Sequence, residues 1–213
     1  TYPGTNLVAH NYGHWEYGNV DMKEALWQSY NTPAIRLLDQ HTGSNRAKKF
    51  ISGLNMDVKS SYGGGDALGL DVSTQDIASA FSAVANGGEY QKASYIKKIK
   101  FADNSIKNVN YDKKRAMRKS TSYILLKMME GVPYENKDAK EAKIKEFKGH
   151  AMKTGSVAYD DQMQAKLPDF AAKDGWVGGT TKNISVTLWT GYDSPNKPGH
   201  YLSKSNTKQR QTL

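Results

Sequence analysis

Two short stretches carry side chains able to do chemistry together. Lys153-Thr154-Gly155-Ser156 sets an ammonium among two hydroxyls and a glycine, and Ser29-Tyr30-Asn31 lies far upstream. An ammonium with neighbouring hydroxyl donors can hold a carboxylate. A serine hydroxyl beside a lysine can pass a proton. Taken singly, each stretch is weak, and Ser29 with Asn31 also reads as a plain helix-capping pair. One S-x-x-K match, Ser94-Tyr95-Ile96-Lys97, sits at the start of an expected strand. There, residues three apart point to opposite faces, whereas a helix would put them on one side. The five histidines (10, 14, 41, 150 and 200) show no metal-ligand spacing, so neither a metal nor a cofactor is expected.

The elements that must position these residues are legible from caps and breakers. Asp21 with Glu24 opens a helix ending near Ser29, and Thr32-Pro33 is a start signal for the next. Ser29-Tyr30-Asn31 therefore falls in a tight link between two helices. Gly43 closes the second helix, and Ser44 opens a third that ends at Gly53. Gly63-Gly64-Gly65 lacks the Lys-Ser/Thr of a phosphate loop and reads as a turn. Ser73 caps a helix with Ile77, Ala80, Phe81 and Val84 on one face, closed by Gly87-Gly88. Tyr95 to Tyr111 reads as a hairpin about Asp103-Asn104. Ser120 is expected to cap a helix with Ile124, Leu125, Met128, Met129 and Val132 as its core stripe. After a charge-laced surface stretch, Glu135 to Lys148, a strand carries Lys153 to Ser156. A polar loop from Tyr159 to Asp174 follows. Two more strands, about Trp176–Gly178 and Ile184–Tyr192, turn at Thr181-Lys182-Asn183, giving a sequential antiparallel trio. The opening to Gly18 reads as an entry loop, and the tail after Pro195 as polar chain without a stop signal.

Composition narrows the class. The 213 residues, 38% apolar and 10% aromatic, suffice for a globular core. The absence of cysteine excludes a disulfide framework. No run approaches a membrane span, so any anchor must lie outside the sequence. Residues 91–118 hold nine Lys/Arg against two Asp within an overall net charge of +9. Such a patch suits a polyanion: nucleic acid, lipid headgroups or anionic wall polymers. The plainer reading is a solvated basic hairpin peripheral to catalysis, and no nucleic-acid partner is expected.

The order S-x-N then K-T-G-[ST], with its surroundings, resembles the transpeptidase domain of class A (bifunctional) penicillin-binding proteins. Gln28 to Ile35 is similar to their S-x-N region. Leu70 to Tyr90 is similar to the block that follows. Trp176-Val177-Gly178-Gly179 and Leu188 to Asp193 are similar to the strands after K-T-G. The likeness runs from about Asn11 to Asp193. It implies an α/β fold, an antiparallel sheet covered by helices on both faces, with residues 1–213 forming the later part of a single domain. Implied roles are catalytic for Ser29, Asn31 and Lys153, and substrate-binding for Thr154, Gly155 and Ser156. Lys153, Thr154 and Ser156 would hold the carboxylate of a peptidoglycan stem peptide, and Gly155 would let its backbone approach the strand. Ser29 would pass a proton to the departing amine, and Asn31 would bind the substrate amide. The Ser156 N–H would share an oxyanion hole with the nucleophile.

The S-x-x-K that carries that nucleophile precedes S-x-N in this family and has no match in the first 28 residues. It is expected on a preceding segment of the same protein, which becomes a partner of this chain along with stem peptides and β-lactams. The expected activity is peptidoglycan D,D-transpeptidation through a serine acyl-enzyme at the outer face of the bacterial cytoplasmic membrane. An upstream anchor and glycosyltransferase domain are implied by the class. The rivals are a serine β-lactamase or D,D-carboxypeptidase and a non-catalytic β-lactam sensor. The Asn-Thr-Pro-Ala block (31–34) and the lack of an assignable deacylating Glu argue against the first.

Overall fold

The computed structural model describes residues 8–57, 63–136, 149–169 and 171–203. Most of the charge-laced stretch before Gly149, the first seven residues and the end of the tail therefore lie outside the described residues. A first helix pair, α1 (Met22–Gln28) and α2 (Asn31–Leu37), leads through a π-turn to α3 (Ser44–Gly53). The Asp21 carboxylate accepts the Glu24 N–H at 2.7 Å, the expected cap. Helix α2 begins one residue before the expected Thr32. Its cap comes from afar, because Asn11 Oδ1 accepts the Thr32 N–H at 3.1 Å and the Thr32 hydroxyl at 3.2 Å. The triple glycine leads into a 3-10 turn (Gly64–Ala67) whose own Asp66 carboxylate takes the Gly63 N–H. The backbone donor that a phosphate would need is thus already engaged.

Helix α4 (Thr74–Ala85) carries the expected Ser73 capping box with Asp76. It does not present a single stripe. Ala83 joins Leu54, Met56 and Tyr90 in one cluster, while Val84 joins Met117, Met129 and Ala151 in another. Helix α4 is thereby the shared wall of two cores. Two short strands that sequence patterning missed follow it. β1 (Glu89–Gln91) pairs with β4 (Lys113–Arg115), enclosing the hairpin of β2 (Lys98–Lys100) and β3 (Ile106–Asn108). Three-residue strands give too little alternation to read, and β4 is wholly basic.

Helix α5 (Lys119–Met129) starts ahead of Ser120, with Arg118 in the cap position and no side-chain cap. Ser122 instead turns inward, and its buried hydroxyl donates to Val84 O at 2.6 Å, tying α5 to α4. Ile124, expected in the core, is 58% exposed. Val132 belongs to the next short helix, α6 (Val132–Glu135), and is fully buried.

The site is built on an antiparallel sheet of order β5-β6-β7, formed by β5 (Ala151–Ala158), β6 (Ala172–Thr180) and β7 (Ser185–Gly191). Lys153 pairs with Gly178 and Gly155 with Trp176. Alternation puts Ala151 and Gly178 on one face and Met152 and Val177 on the other. The first face meets α4 and α5: Ala151 packs with Val84 and Met129, and Phe81 fills the space above Gly178. The second meets Val132 and Trp27. Helices thus reach both faces at the β5 end. The expected polar loop after β5 contains a short helix, α7 (Asp161–Gln164). The chain after β7 also folds back rather than trailing away. Leu202 is buried and bridges Ala172, and the Tyr159 hydroxyl bonds to Pro195 O and His200 O at 2.9 and 2.7 Å.

Candidate active site

Ser29 and Lys153 come together from opposite ends of the sequence. The Lys153 ammonium donates to Ser29 Oγ at 2.6 Å and to Thr154 O at 2.9 Å. Ser29 ends α1 in the left-handed conformation (φ 60°, ψ 41°), its N–H directed back to Ala25 O and Leu26 O. That conformation is uncommon outside glycine and aims the hydroxyl away from the helix axis.

The end of α1 is clasped by the α5–α6 corner. Trp27 Nε1 donates to Met128 O at 2.6 Å, Asn136 Nδ2 to Trp27 O at 2.6 Å, and Gln28 Nε2 to Glu135 O at 2.9 Å. Gly131 leaves the room the Trp27 indole occupies, since a Cβ there would collide with Nε1 and the ring. Trp27 also packs on Met152 and Val132, so one side chain fixes α1 relative to the strand that carries Lys153. Gly131→Ala is therefore expected to cost about 1–3 kcal/mol of stability, the usual range for overpacking. An unchanged melting midpoint would refute this coupling.

Burial lowers the Lys153 ammonium from 10.5 to about 8, and desolvation is the sole cause. At neutral pH the group is still largely charged, with the energetic cost of a half-buried cation.

The remaining expected residues occupy less intimate places. Thr154 and Ser156 leave β5 on the opposite side from Lys153 and Gly155. Their hydroxyls have no partner among the described residues, and Ser156 is exposed. Gly155 lies on an edge strand, and a Cβ there would only touch Trp176 Cβ at 3.5 Å. The internal packing thus tolerates a side chain, so any demand for glycine comes from what approaches the edge. Asn31 forms no hydrogen bond to Lys153 or Ser29 among the described residues. Its amide nitrogen donates to His10 O at 2.9 Å, which leaves Oδ1 as an acceptor. Ser94 lies in an exposed turn before β2, its hydroxyl tied to Ile96 O at 3.0 Å, away from this constellation. No cluster of three or more His, Asp or Glu suited to a metal occurs among the described residues.

Sequence reasoning missed the supports of the site: Asn11, Trp27, Gly131 and Asn136. Each acts through a contact with residues distant in sequence or through a space left empty, and a single sequence records neither.

With this geometry in place, comparison with known proteins is specific. The family model for the penicillin binding protein transpeptidase domain matches residues 1–206. Penicillin-binding protein 1A of Streptococcus pneumoniae is 35% identical over 209 residues, covering 92% of this chain and 28% of that protein. Penicillin-binding protein 1A of Streptococcus oralis is 33% identical, with 92% and 32% covered. The chain belongs to the penicillin-binding protein transpeptidase family, on the class A branch with the 1A proteins. It spans 28% and 32% of the length of those two relatives. Among solved structures, PonA1 of Mycobacterium tuberculosis superposes with a TM-score of 0.78 at 19% identity, covering 99% of this chain and 59% of that one. The same protein in complex with penicillin V gives 0.75 at 20% identity, covering 95% and 57%. These likenesses confirm the α/β transpeptidase fold. Among the described residues no helix is long and apolar enough to cross a membrane.

Proposed function

We propose that this chain supplies the carboxylate-holding and proton-relaying half of a peptidoglycan D,D-transpeptidase site that β-lactams acylate. The observation that carries the reading is the 2.6 Å contact between Lys153 Nζ and Ser29 Oγ, formed across the whole fold. The nucleophilic serine belongs to a Ser-x-x-Lys on a preceding segment of the same protein. That segment docks beside β7, whose outer edge is unpaired among the described residues; Val186 on this strand and Ile184 just before it are 59% and 63% exposed. The whole protein works at the outer face of the cytoplasmic membrane, held by an anchor elsewhere in its sequence.

The serine oxygen attacks the carbonyl of the penultimate D-Ala, or the β-lactam amide, and gives its proton to the amine of the Ser-x-x-Lys lysine. The oxyanion that forms is held by the Ser156 N–H and the N–H of the nucleophile. The C–N bond then breaks, and the departing nitrogen takes its proton through Ser29, with Lys153 behind it. In cross-linking, an amine from a neighbouring stem attacks the ester, restores an amide and releases the serine. Thr154, Ser156 and the Lys153 charge hold the substrate carboxylate. Asn31 Oδ1 accepts from the ammonium of the Ser-x-x-Lys lysine, a reading supported by its Nδ2 being engaged with His10 O, which leaves the oxygen as the acceptor.

The pH dependence tests this reading. Lys153 is charged below a pKa of about 8 and neutral above it. Carboxylate capture, and with it the acylation rate by labelled penicillin, should fall as pH rises through about 8. The check is the second-order acylation rate from pH ~6.5 to pH ~9.5. A profile that stays flat, or climbs, through pH 8 would remove the charged Lys153 from the mechanism.

A further inference from the structure

The hairpin β2–β3 stands apart from the site and from the cores. Every residue of both strands is exposed. Ile99, Phe101 and Ile106 are 39–55% exposed, and none joins a core cluster. Its attachments are at the base, where the Tyr111 hydroxyl donates to Ile96 O at 3.1 Å and the Tyr95 hydroxyl bonds to Gln75. Two-stranded ribbons with both faces in water are marginal on their own.

The cations divide into two groups. Lys114 and Arg115 are spent on structure: Lys114 reaches Ser52 O, and Arg115 reaches Gly87 O and pairs with Glu89. Lys97, Lys98, Lys100, Lys107 and Lys113 form no ion pair or side-chain hydrogen bond among the described residues. Register sets Lys107 with Ile99 on one face, and Lys98 and Lys100 with Ile106 on the other. The lone tip carboxylate, Asp103, is tied to the Ser105 N–H and hydroxyl, which hold it below the usual carboxylate range. It would turn an anion away from the tip and towards the strands.

We propose that this hairpin binds a linear phosphodiester polymer of simple polyols, independently of the reaction at Lys153. Free cations on both faces fit a flexible chain that wraps the ribbon. A bilayer is flat and can meet only one face. A single-stranded nucleic acid needs successive aromatic platforms, but neither β2 nor β3 carries an aromatic residue, and Phe101 alone directly adjoins one of them. The aliphatic side chains between the lysines give the polyol carbons a surface to lie on.

The test measures binding of a fluorescent poly(glycerol phosphate) oligomer to the protein with this chain in its natural sequence context, by anisotropy across a salt series. Saturable binding is expected, with log K falling linearly with log salt by about 0.7 per phosphate neutralised. The triple variant K98Q/K100Q/K107Q should bind at least about tenfold more weakly and lose about 2 units of that slope. The charge-keeping variant K98R/K100R/K107R should bind as wild type does, with both variants keeping the far-ultraviolet circular dichroism of the parent. The proposal is overturned by equal binding of the Gln variant, by loss of binding in the Arg variant, or by no saturable binding. Tighter binding of oligodeoxythymidylate, or of phosphatidylglycerol vesicles, would assign the patch to nucleic acid or membrane and would equally overturn it.

Discussion

Lys153→Ala should reduce acylation by labelled penicillin by about a thousandfold or more, which corresponds to a barrier about 4 kcal/mol higher. One ammonium makes two contributions. On the proposed reading it offers charge to the substrate carboxylate, and it donates to the Ser29 hydroxyl oxygen at 2.6 Å. Losses of about a hundredfold to a thousandfold follow removal of a single preorganised donor elsewhere, and here two functions vanish together. The fold should survive. The folded pKa of Lys153 lies near 8, below the ordinary 10.5, so burying the ammonium opposes folding below pH 8. That penalty fades as pH rises from about 8 to 10.5 and is absent from the alanine variant. The melting midpoint at pH 7 should thus hold or rise while acylation collapses. Acylation within a few-fold of wild type would dismiss Lys153 from the site.

The Ser29 hydroxyl should be worth about a hundredfold to ten-thousandfold, the usual span for a positioned proton carrier. Ser29→Gly is the informative variant. Ser29 sits at φ 60°, where glycine is comfortable and alanine is strained. Glycine removes the hydroxyl without disturbing the helix end, whereas alanine mixes chemistry with backbone cost. A cap role predicts little change in Ser29→Gly, because the helix-end hydrogen bonds come from the backbone N–H of residues 29 and 30. A proton-relay role predicts loss of acylation with stability kept. Near-wild-type acylation of this variant would leave Ser29 as part of a helix end and nothing more.

These two residues mark the border between what sequence can and cannot tell. Local signals read well. Asp21, Ser73, Gly43 and the Gly87-Gly88 pair each act within one turn of chain, and each sits where its chemistry placed it. The late strand trio was equally legible, because β5, β6 and β7 follow one another and pair with their nearest neighbours. Errors gathered where a distant partner overrode a local rule. Asn11 caps α2 from 21 residues away, and Ser122 rather than Ser120 is the serine that matters in α5. Ile124 fits the helical period but faces solvent, since α5 turns its Leu125, Leu126 and Met129 to the core instead. The proposed site residues come from likeness to a family, not from periodicity. No pattern in one sequence announces that residues 29 and 153 touch, or that burial alone brings Lys153 down to about 8.

The central claim is that this chain holds Lys153 and Ser29 in a transpeptidase site whose nucleophile lies elsewhere in the protein. Its most direct test is to treat the protein, in its natural sequence context, with a labelled penicillin, then denature and digest it and locate the acylated peptide. The label should sit on the serine of a Ser-x-x-Lys that precedes these 213 residues, with none on Ser29, Ser94 or Ser156. Stoichiometric label on any serine within the 213 residues would contradict the account.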